Sequence, residues 1–242
     1  MSNRGATTMV EIANEALEPN GGAGYSRSRF FEISPADDRA HPTTSTVRIN
    51  VGIDDVDTAR MQEYALLAAL LKRAPDLVLL KRLSEIQGNS TPLGVAHAAL
   101  ALAAAETDPE RLEREFFELF IGVGRGELLP YGSYYLTGFL NERPLARLRD
   151  DLRALGLERA EDQSEPEDHA AILCEIMAGL AGGGFTAASD TQTKIFRKHL
   201  APWMGRFFAD LEWIKDAHFY RHVGAIGRLF IEIETEAFAL PS

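Results

Sequence analysis

The feature that most constrains the fold is a succession of apolar segments with helical spacing, which begins near residue 54. In the first segment Met61, Tyr64, Leu67 and Leu71 recur at intervals of three or four residues, which places them on one face of a helix. The segment ends at Pro75, a residue that cannot continue a helix. Since no alternating Val-, Ile- or Thr-rich run of strand length occurs, the pattern predicts an all-α fold.

Capping residues indicate where several helices begin. Thr91 and Asp108 can each accept a hydrogen bond from a free backbone N–H group, and each precedes a proline that suits the first helical position. The sequence predicts a single helical domain of roughly nine helices. They cover residues 54–75, 76–88, 91–106, 108–122, 144–156, 165–181, 188–200, 201–216 and 218–238.

The first 52 residues differ from the rest in composition, because they are rich in Gly, Ser, Thr, Asn and Pro. Such a segment buries too little apolar surface to offset its chain entropy. We therefore predict a mobile N-terminal tail over residues 1–52, with a brief helix near residues 9–17, and a helical domain over residues 53–242.

Charge and cysteine content exclude several classes of protein. The formal net charge of -11 argues against a nucleic-acid-binding protein and suits a cationic partner. With Cys174 as its only cysteine, the chain has no disulfide framework and no thiolate metal cluster, as expected in a reducing cytoplasm. No run reaches the roughly 18 apolar residues of a membrane span, and none near the N-terminus suits an exported leader, so we expect no membrane insertion.

A long glycine-rich segment separates the helix that ends near Ile121 from the helix that begins near Pro144. Loops of this length inside a domain are more often functional than not. Its first part, Gly122-Val-Gly-Arg-Gly126, suggests a phosphate-binding loop, but it follows a helix and lacks a Gly-Lys-Ser/Thr ending. A glycine-rich helix exit is the favoured interpretation.

A second unusual segment, SEPEDHAAILCEIM at residues 164–177, places acids and a histidine before an apolar helix. Ser164 and Glu167 have the spacing of a capping box. Counting back from the apolar stripe places His169 and Glu165 on the same line, with Asp168 one turn before the stripe begins. We therefore expect the carboxylates at the rim of an apolar face, where replacing them would cost little stability.

Three chemistries could use these residues. Glu165, Asp168 and His169 could bind a metal ion, although no fourth ligand is evident nearby. Ser133, His169 and Asp168 could form a hydrolase triad, but no nucleophile elbow surrounds the serine. A peptide groove is the third interpretation, because Tyr131 would supply aromatic surface and the carboxylates would attract a cationic segment.

The two unusual segments together resemble the TorD/DmsD/NarJ family of cytoplasmic chaperones for molybdenum-cofactor redox enzymes. The resemblance covers roughly residues 55–235 and depends on two separated motifs in the family order. Many members have proline where this chain has Val123. The matching site residues are Phe120, Gly122, Pro130, Tyr131, Ser133 and Tyr135, followed by Glu165, Pro166, Asp168 and His169.

The resemblance implies an all-helical, non-enzymatic protein that binds the twin-arginine leader or N-terminal segment of a molybdenum-cofactor oxidoreductase catalytic subunit. Such binding holds the subunit back until the cofactor is inserted. On this interpretation Glu165 and Asp168 contact the arginines, and His169 orients a carboxylate or the groove wall. A small helical hydrolase or metal-dependent enzyme and a general adaptor remain alternatives.

The resemblance also bears on ligands and assembly. Guanine nucleotide binding is associated with some family members, so the resemblance allows that ligand, although no residue of this chain demands it. The residues indicate no other cofactor, and the chain is expected to be a monomer or a homodimer.

Residues 26–31 of the tail, SRSRFF, are similar to an interrupted twin-arginine consensus, which runs Ser/Thr-Arg-Arg-x-Phe. Tethering raises the local concentration of such a segment to about the millimolar range. The tail could therefore occupy the chain's own groove, and we expect deletion of residues 1–50 to raise leader affinity severalfold.

Overall fold

The computed structural model describes residues 31–33, 55–159, 164–185, 188 and 190–240, and within them the chain is predominantly helical. The all-α prediction is confirmed. The predicted helix at residues 9–17 lies outside the described residues. The described helices are α1 (Asp55–Lys72), α2 (Leu77–Ser84), α3 (Pro92–Glu106), α4 (Pro109–Phe116), α5 (Gly132–Thr137), α6 (Arg143–Ala154), α7 (Ala170–Ala181), α8 (Thr191–Ile195), α9 (Met204–Trp213) and α10 (Tyr220–Ala239).

The predicted caps of α3 and α4 are present. The side chain of Thr91 accepts a hydrogen bond from the Gly94 N–H, and that of Asp108 accepts one from the Arg111 N–H. In both helices proline occupies the first turn, where its missing N–H leaves no gap in the hydrogen bonding. Local chemistry is therefore sufficient to fix these two helix starts.

Helix α7 lies at the centre of the core, and every one of its residues is buried. Its sequence AAILCEIMAGLA is apolar on nearly all sides, which suits a helix surrounded by other helices. It packs most extensively against α1, which contributes buried side chains from Tyr64 to Leu71. The burial extends to Cys174 and raises the pKa of its thiol.

Three predicted segments differ in detail from the structure. Helix α7 begins at Ala170 rather than at residue 165, because residues 164–169 form an irregular turn. The predicted loop between residues 122 and 143 contains the short helix α5, which glycines bound on both sides. The predicted helix over 188–200 is α8 followed by a π-helical turn, Phe196–Leu200, and a second π-helical turn, Phe117–Ile121, follows α4.

The described residues also contain two strands that the sequence did not predict. Strand β1 (Phe31–Ile33) pairs antiparallel with strand β2 (Leu157–Arg159), and Glu32 lies opposite Glu158. Three residues per strand are too few to show an alternating pattern, so this pairing could not be read from composition. It shows that part of the predicted N-terminal tail contacts the helical domain.

Among the described residues, no helix is both long enough and apolar enough to cross a membrane.

The closest helix packing that glycine permits lies between α9 and α10. A β-carbon at Gly224 would lie 2.4 Å from the Glu212 backbone nitrogen, whereas one at Gly205 would meet only Ile231 Cγ2 at 3.6 Å. We therefore predict that Gly224→Ala lowers the free energy of unfolding by about 1–3 kcal/mol through overpacking. Gly205→Ala, the matched control, should leave stability unchanged or raise it by up to about 1 kcal/mol.

Urea unfolding of both variants measures this difference. Equal stability of the two variants would contradict the observed closeness of α9 and α10.

Candidate peptide-binding site

The two sequence motifs meet through their backbones. Tyr131 and His169 form an isolated antiparallel bridge. The Ala170 N–H donates to the Pro130 carbonyl at 2.8 Å, and the Gly132 N–H donates to the Asp168 carbonyl at 2.9 Å. Residues 130–133 and 168–170 therefore form one unit, which we call the motif junction.

Asp168 caps a helix other than its own. Its carboxylate Oδ2 accepts a hydrogen bond of 2.6 Å from the Ser133 N–H in the first turn of α5. Tyr131, which precedes α5, makes no side-chain capping bond. Asp168 thus supplies from 35 residues away the acceptor that a local Ser or Asp would normally provide. Only 3% of Asp168 is exposed, so the expectation that it lies at a rim is wrong.

His169 is the capping residue of α7. Its Nδ1 accepts a hydrogen bond of 3.1 Å from the Ala171 N–H, and its ring packs edge-on against Tyr131 with 5.0 Å between centroids. Burial lowers the pKa of His169 to about 4, because the protonated ring would lose its hydration. The imidazole is therefore neutral at pH 7, with its proton on Nε2.

Glu165 lies on the exposed side of the same turn. It accepts a hydrogen bond of 2.5 Å from the Tyr131 hydroxyl. Burial and the neighbouring Glu165 carboxylate both raise the pKa of Tyr131, so this hydroxyl keeps its proton. The carbonyl of Pro166 accepts from the His169 N–H at 3.0 Å, which closes the turn.

The predicted capping box at residues 164–167 does not form. Ser164 is exposed, and Glu167 is buried and paired with Arg149 of α6, whose guanidinium nitrogens lie 2.8 and 2.9 Å from its carboxylate. This pair between distant parts of the chain replaces the local cap. It fixes the motif junction to α6.

Two buried polar atoms at the motif junction have no hydrogen-bond partner within the described part of the chain. They are Oδ1 of Asp168 and Oγ of Ser133. Buried polar groups in folded proteins are nearly always paired, because an unpaired one costs about 1–3 kcal/mol. These two atoms are therefore the exceptions among the polar groups of the motif junction.

A cleft opens beside Asp168. Trp203 forms part of its wall and lies close to Gly132, where a β-carbon would come within 3.0 Å of the indole nitrogen. Lys198, which also lines the cleft, is paired with Asp151 at 2.6 Å. The lining residues are Gly132, Leu136, Pro144, Arg147, Leu148, Asp168, Leu173, Lys198, His199 and Trp203.

The remaining predicted site residues lie around this unit or serve other contacts. Tyr135 donates a hydrogen bond of 3.0 Å to Asp210 and its ring packs against Trp203. Phe120 packs against Phe116 and Tyr220. It therefore contributes to the contact between the end of α4 and α10.

Gly122 closes the π-helical turn after α4. Its φ of 61° is in the left-handed region, and its N–H donates to the Phe117 carbonyl at 2.7 Å. The N–H groups of Glu127 and Leu128 also bond to carbonyls of the preceding turn. These backbone donors are occupied, which favours the helix-exit interpretation over a phosphate loop.

The enzyme alternatives gain no support from the geometry. The Ser133 hydroxyl has no hydrogen-bond partner among the described residues, and Nδ1 of His169 is bound to the Ala171 N–H. The three residues therefore do not form a charge-relay chain. Within the residues that the structure describes, no three His, Cys, Asp or Glu side chains form a group that could hold a metal ion.

Comparison with known proteins identifies the family. Residues 87–209, which include Gly122 and both motifs, match the family described as nitrate reductase delta subunit. The chain belongs to this family. The resemblance to TorD, DmsD and NarJ proteins is thereby confirmed.

Individual members of the nitrate reductase delta subunit family match over shorter stretches. The chaperone protein TorD of Vibrio cholerae is 32% identical over 40% of this chain and 48% of the relative. A protein of Haemophilus influenzae named as the Tat proofreading chaperone DmsD is 29% identical over 46% of this chain and 54% of the relative. The chain thus spans about half the length of the curated relatives it matches.

A solved structure shares the fold. A protein of Archaeoglobus fulgidus assigned to redox enzyme maturation superposes with a TM-score of 0.50. It is 23% identical, and the alignment covers 72% of this chain and 93% of that protein. At this identity the likeness supports the helical architecture alone.

The capping role of Asp168 predicts a difference between two substitutions. Asp168→Ala leaves the Ser133 N–H without an acceptor and should lower the free energy of unfolding by about 2 kcal/mol. Asp168→Asn keeps an oxygen for that N–H and should cost about 1 kcal/mol or less. Urea unfolding measures both, and an Asp168→Ala variant as stable as the wild type would refute the cap.

Burial of His169 predicts a pH dependence of stability. Above pH 6.5 the ring is neutral in both states, whereas between pH 6.5 and about 4 only the unfolded state binds the proton. The free energy of unfolding should therefore fall with falling pH across this window, by at most about 3 kcal/mol, and this contribution should level off below pH 4.

His169→Asn retains a capping oxygen, and its free energy of unfolding should lack the part of the pH dependence that comes from His169. His218→Asn, at an exposed position, should keep the pH dependence of the wild type. Identical slopes for His169→Asn and the wild type would show that His169 is not responsible.

Proposed function

We propose that this protein is a cytoplasmic maturation chaperone, with no enzymatic activity of its own, for a molybdenum-cofactor oxidoreductase. The motif junction and its cleft bind the twin-arginine leader or N-terminal segment of the catalytic subunit. Binding holds the subunit until its cofactor is inserted and export or assembly can follow.

The family supports the chaperone part of this proposal. Relatives of this chain are named TorD chaperones and a Tat proofreading chaperone. The family name itself refers to a nitrate reductase subunit. The relatives are named as chaperones and the family is named after a redox enzyme, which is why a redox enzyme subunit is the proposed client.

The unpartnered Oδ1 of Asp168 is the observation that carries the proposed binding mode. This carboxylate lines the cleft, and only its other oxygen is bound, by the Ser133 N–H. A buried carboxylate oxygen is best satisfied by a cationic donor, and charge-assisted hydrogen bonds are the strongest available. An arginine side chain that entered the cleft would supply that donor.

The second arginine and the apolar part of a leader also find complementary groups nearby. Glu165 is an exposed carboxylate on the same turn as Asp168, and the Tyr131 hydroxyl orients it. Leu136 lines the cleft, and Phe139 and Leu140 follow it as exposed side chains. The site thus offers two carboxylates and an apolar surface, which is the complement of a cationic segment followed by an apolar one.

One charge at the cleft opposes an arginine. Arg147 lines the cleft and is exposed, whereas the charge of Lys198 is offset by Asp151. If the cleft instead bound an anionic group, Arg147 and Lys198 would be its ligands and Asp168 would repel it. If the cleft binds a cation, substitution of Asp168 should weaken binding and substitution of Arg147 should not. If it binds an anion, substitution of Arg147 should weaken binding and substitution of Asp168 should strengthen it.

The proposal predicts an energetic coupling between Asp168 and the leader arginines. Wild-type protein should bind a leader peptide more tightly than the same peptide with both arginines replaced by glutamine. Asp168→Asn should remove about 1.5–3 kcal/mol of this preference, because an amide NH2 group replaces the acceptor oxygen in the cleft. Isothermal titration calorimetry with both proteins and both peptides measures the coupling.

Two variants control this experiment. Glu106→Gln makes the same change of charge at an exposed residue of α3 and should leave the preference for arginine unchanged. Arg147→Gln should leave leader affinity unchanged or raise it. A loss of affinity in Arg147→Gln together with a gain in Asp168→Asn would show that the cleft binds an anion, and the proposed binding mode would be wrong.

The salt dependence of leader affinity should separate the electrostatic part of the interaction from the apolar part. The contacts of exposed Glu165 are screened as the Debye length falls from about 10 Å at 0.1 M to about 3 Å at 1 M, whereas apolar burial is not screened. We expect leader affinity to fall as the salt concentration rises over this range. It should then level off at the residual affinity that apolar burial provides. An affinity independent of salt would show that the site does not recognise the cationic half.

A further inference from the structure

The pairing of β1 with β2 brings a distant part of the chain beside the proposed peptide site. Residues 31–33 and 157–159 are separated by more than 120 positions, yet their backbones form an antiparallel pair with Phe31 opposite Arg159 and Ile33 opposite Leu157. Strand β2 follows α6 through Gly156, whose φ is 70°. Strand β2 ends at Arg159, five residues before Ser164. Residues 164–169 form the irregular turn before α7, which we call the motif turn.

The edge of β2 is physically continuous with the motif junction. Leu157, Glu158 and Arg159 line a shallow depression together with Arg149 and Glu167. Glu167 belongs to the motif turn and is held there by Arg149. An extended segment seated on β2 therefore lies beside the turn that carries the proposed leader-binding carboxylates.

The direction of the pairing matters. Because the two strands are antiparallel, the N-terminal end of β1 lies at the C-terminal end of β2, which is the end that leads to the motif turn. The sequence that enters β1 from that end is SRSRF, which contains Arg27 and Arg29. The residues that precede β1 in the sequence thus have the cationic and aromatic composition expected of a ligand for the site.

The pairing is also weak enough to be exchanged. Strands of three residues form few hydrogen bonds, and an isolated two-stranded pair is marginally stable at best in water. Tethering favours it, since only 21 residues separate Ile33 from Asp55 and an attached segment has an effective concentration of about the millimolar range. A leader that binds more tightly than the tethered segment could therefore displace β1 from β2.

We propose that the edge of β2 is a strand-addition site that residues 31–33 of the same chain occupy, and that this self-docking competes with leader binding. Addition of an extended segment to an exposed strand edge is a general mode of peptide recognition. Self-docking occupies this edge of β2 until a client segment replaces it. The competitive part of the inference depends on the proposed function, whereas the docking itself does not.

A reversible cross-link tests both parts in the full chain. Directly opposed residues of an antiparallel pair have Cα atoms about 4.5–5.5 Å apart, within the range of about 4.4–6.8 Å that a disulfide allows. The double variant Glu32→Cys with Glu158→Cys should therefore form an intramolecular disulfide under mild oxidation. The native Cys174 is buried and should not compete. Each single variant serves as a control.

We expect the oxidised double variant to bind a twin-arginine leader peptide at least about tenfold more weakly than the reduced form, because the occupied site is then unavailable to the client. Reduction should restore affinity. Failure of the disulfide to form would overturn the docking, and equal affinity of the oxidised and reduced forms would overturn the competition.

A second variant acts in the opposite direction. Ile33→Pro should disfavour the strand pairing and raise leader affinity by about twofold to tenfold, as expected when a competitor that occupies half to nine-tenths of the sites is removed. Ala23→Pro introduces the same residue before β1 and should have no effect. An unchanged dissociation constant for Ile33→Pro would contradict the competition.

The two proposals can fail separately. If the wild type, the reduced double variant and Ile33→Pro all lack affinity for the leader, the proposed function is wrong, and the competition that depends on it is wrong as well. The yield of the disulfide then still decides whether residues 31–33 dock on β2.

Discussion

The antiparallel bridge between Tyr131 and His169 is the constraint on which the candidate site depends. Two backbone hydrogen bonds, one on either side of it, hold residues 130–133 against residues 168–170. Helix α7 begins at this point and is buried along its entire length, so the junction cannot shift without disturbing the core. The site is therefore as rigid as the centre of the domain, although Glu165 at its edge is exposed.

The bridge also explains why Asp168 and His169 are adjacent in sequence but perform different tasks. His169 caps α7, whereas Asp168 caps α5 across the junction. Each helix start obtains an acceptor for a free N–H group, and the polar cost of burying the junction is largely offset. The exceptions are the Asp168 Oδ1 and Ser133 Oγ atoms. Capping thus accounts for most of the junction's polar atoms but not for these two.

Features set by local chemistry could be predicted from the sequence, and features set by distant partners could not. The Thr91 and Asp108 caps lie within three residues of the N–H groups they bind, and both were correct. The start of α7 was wrong because Glu167 pairs with Arg149, 18 residues away, instead of closing a capping box. The six-residue helix α5 is too short for a periodic pattern, and its cap comes from another motif. The structure joins the two motifs through the bridge between Tyr131 and His169, and the cleft beside them also requires Trp203, which belongs to neither motif.

The composition of the cleft favours arginine over lysine as the occupant under the proposed function. An ammonium group is compact and strongly hydrated, so burying it against a single carboxylate oxygen loses more solvation than burying a guanidinium. A guanidinium is planar and can place one edge on Asp168 while its face lies along an apolar or aromatic wall such as Trp203. Because Gly132 has no side chain, the indole can approach the backbone closely at this wall of the cleft. Gly132 and Trp203, which shape this wall, would therefore also favour arginine over lysine.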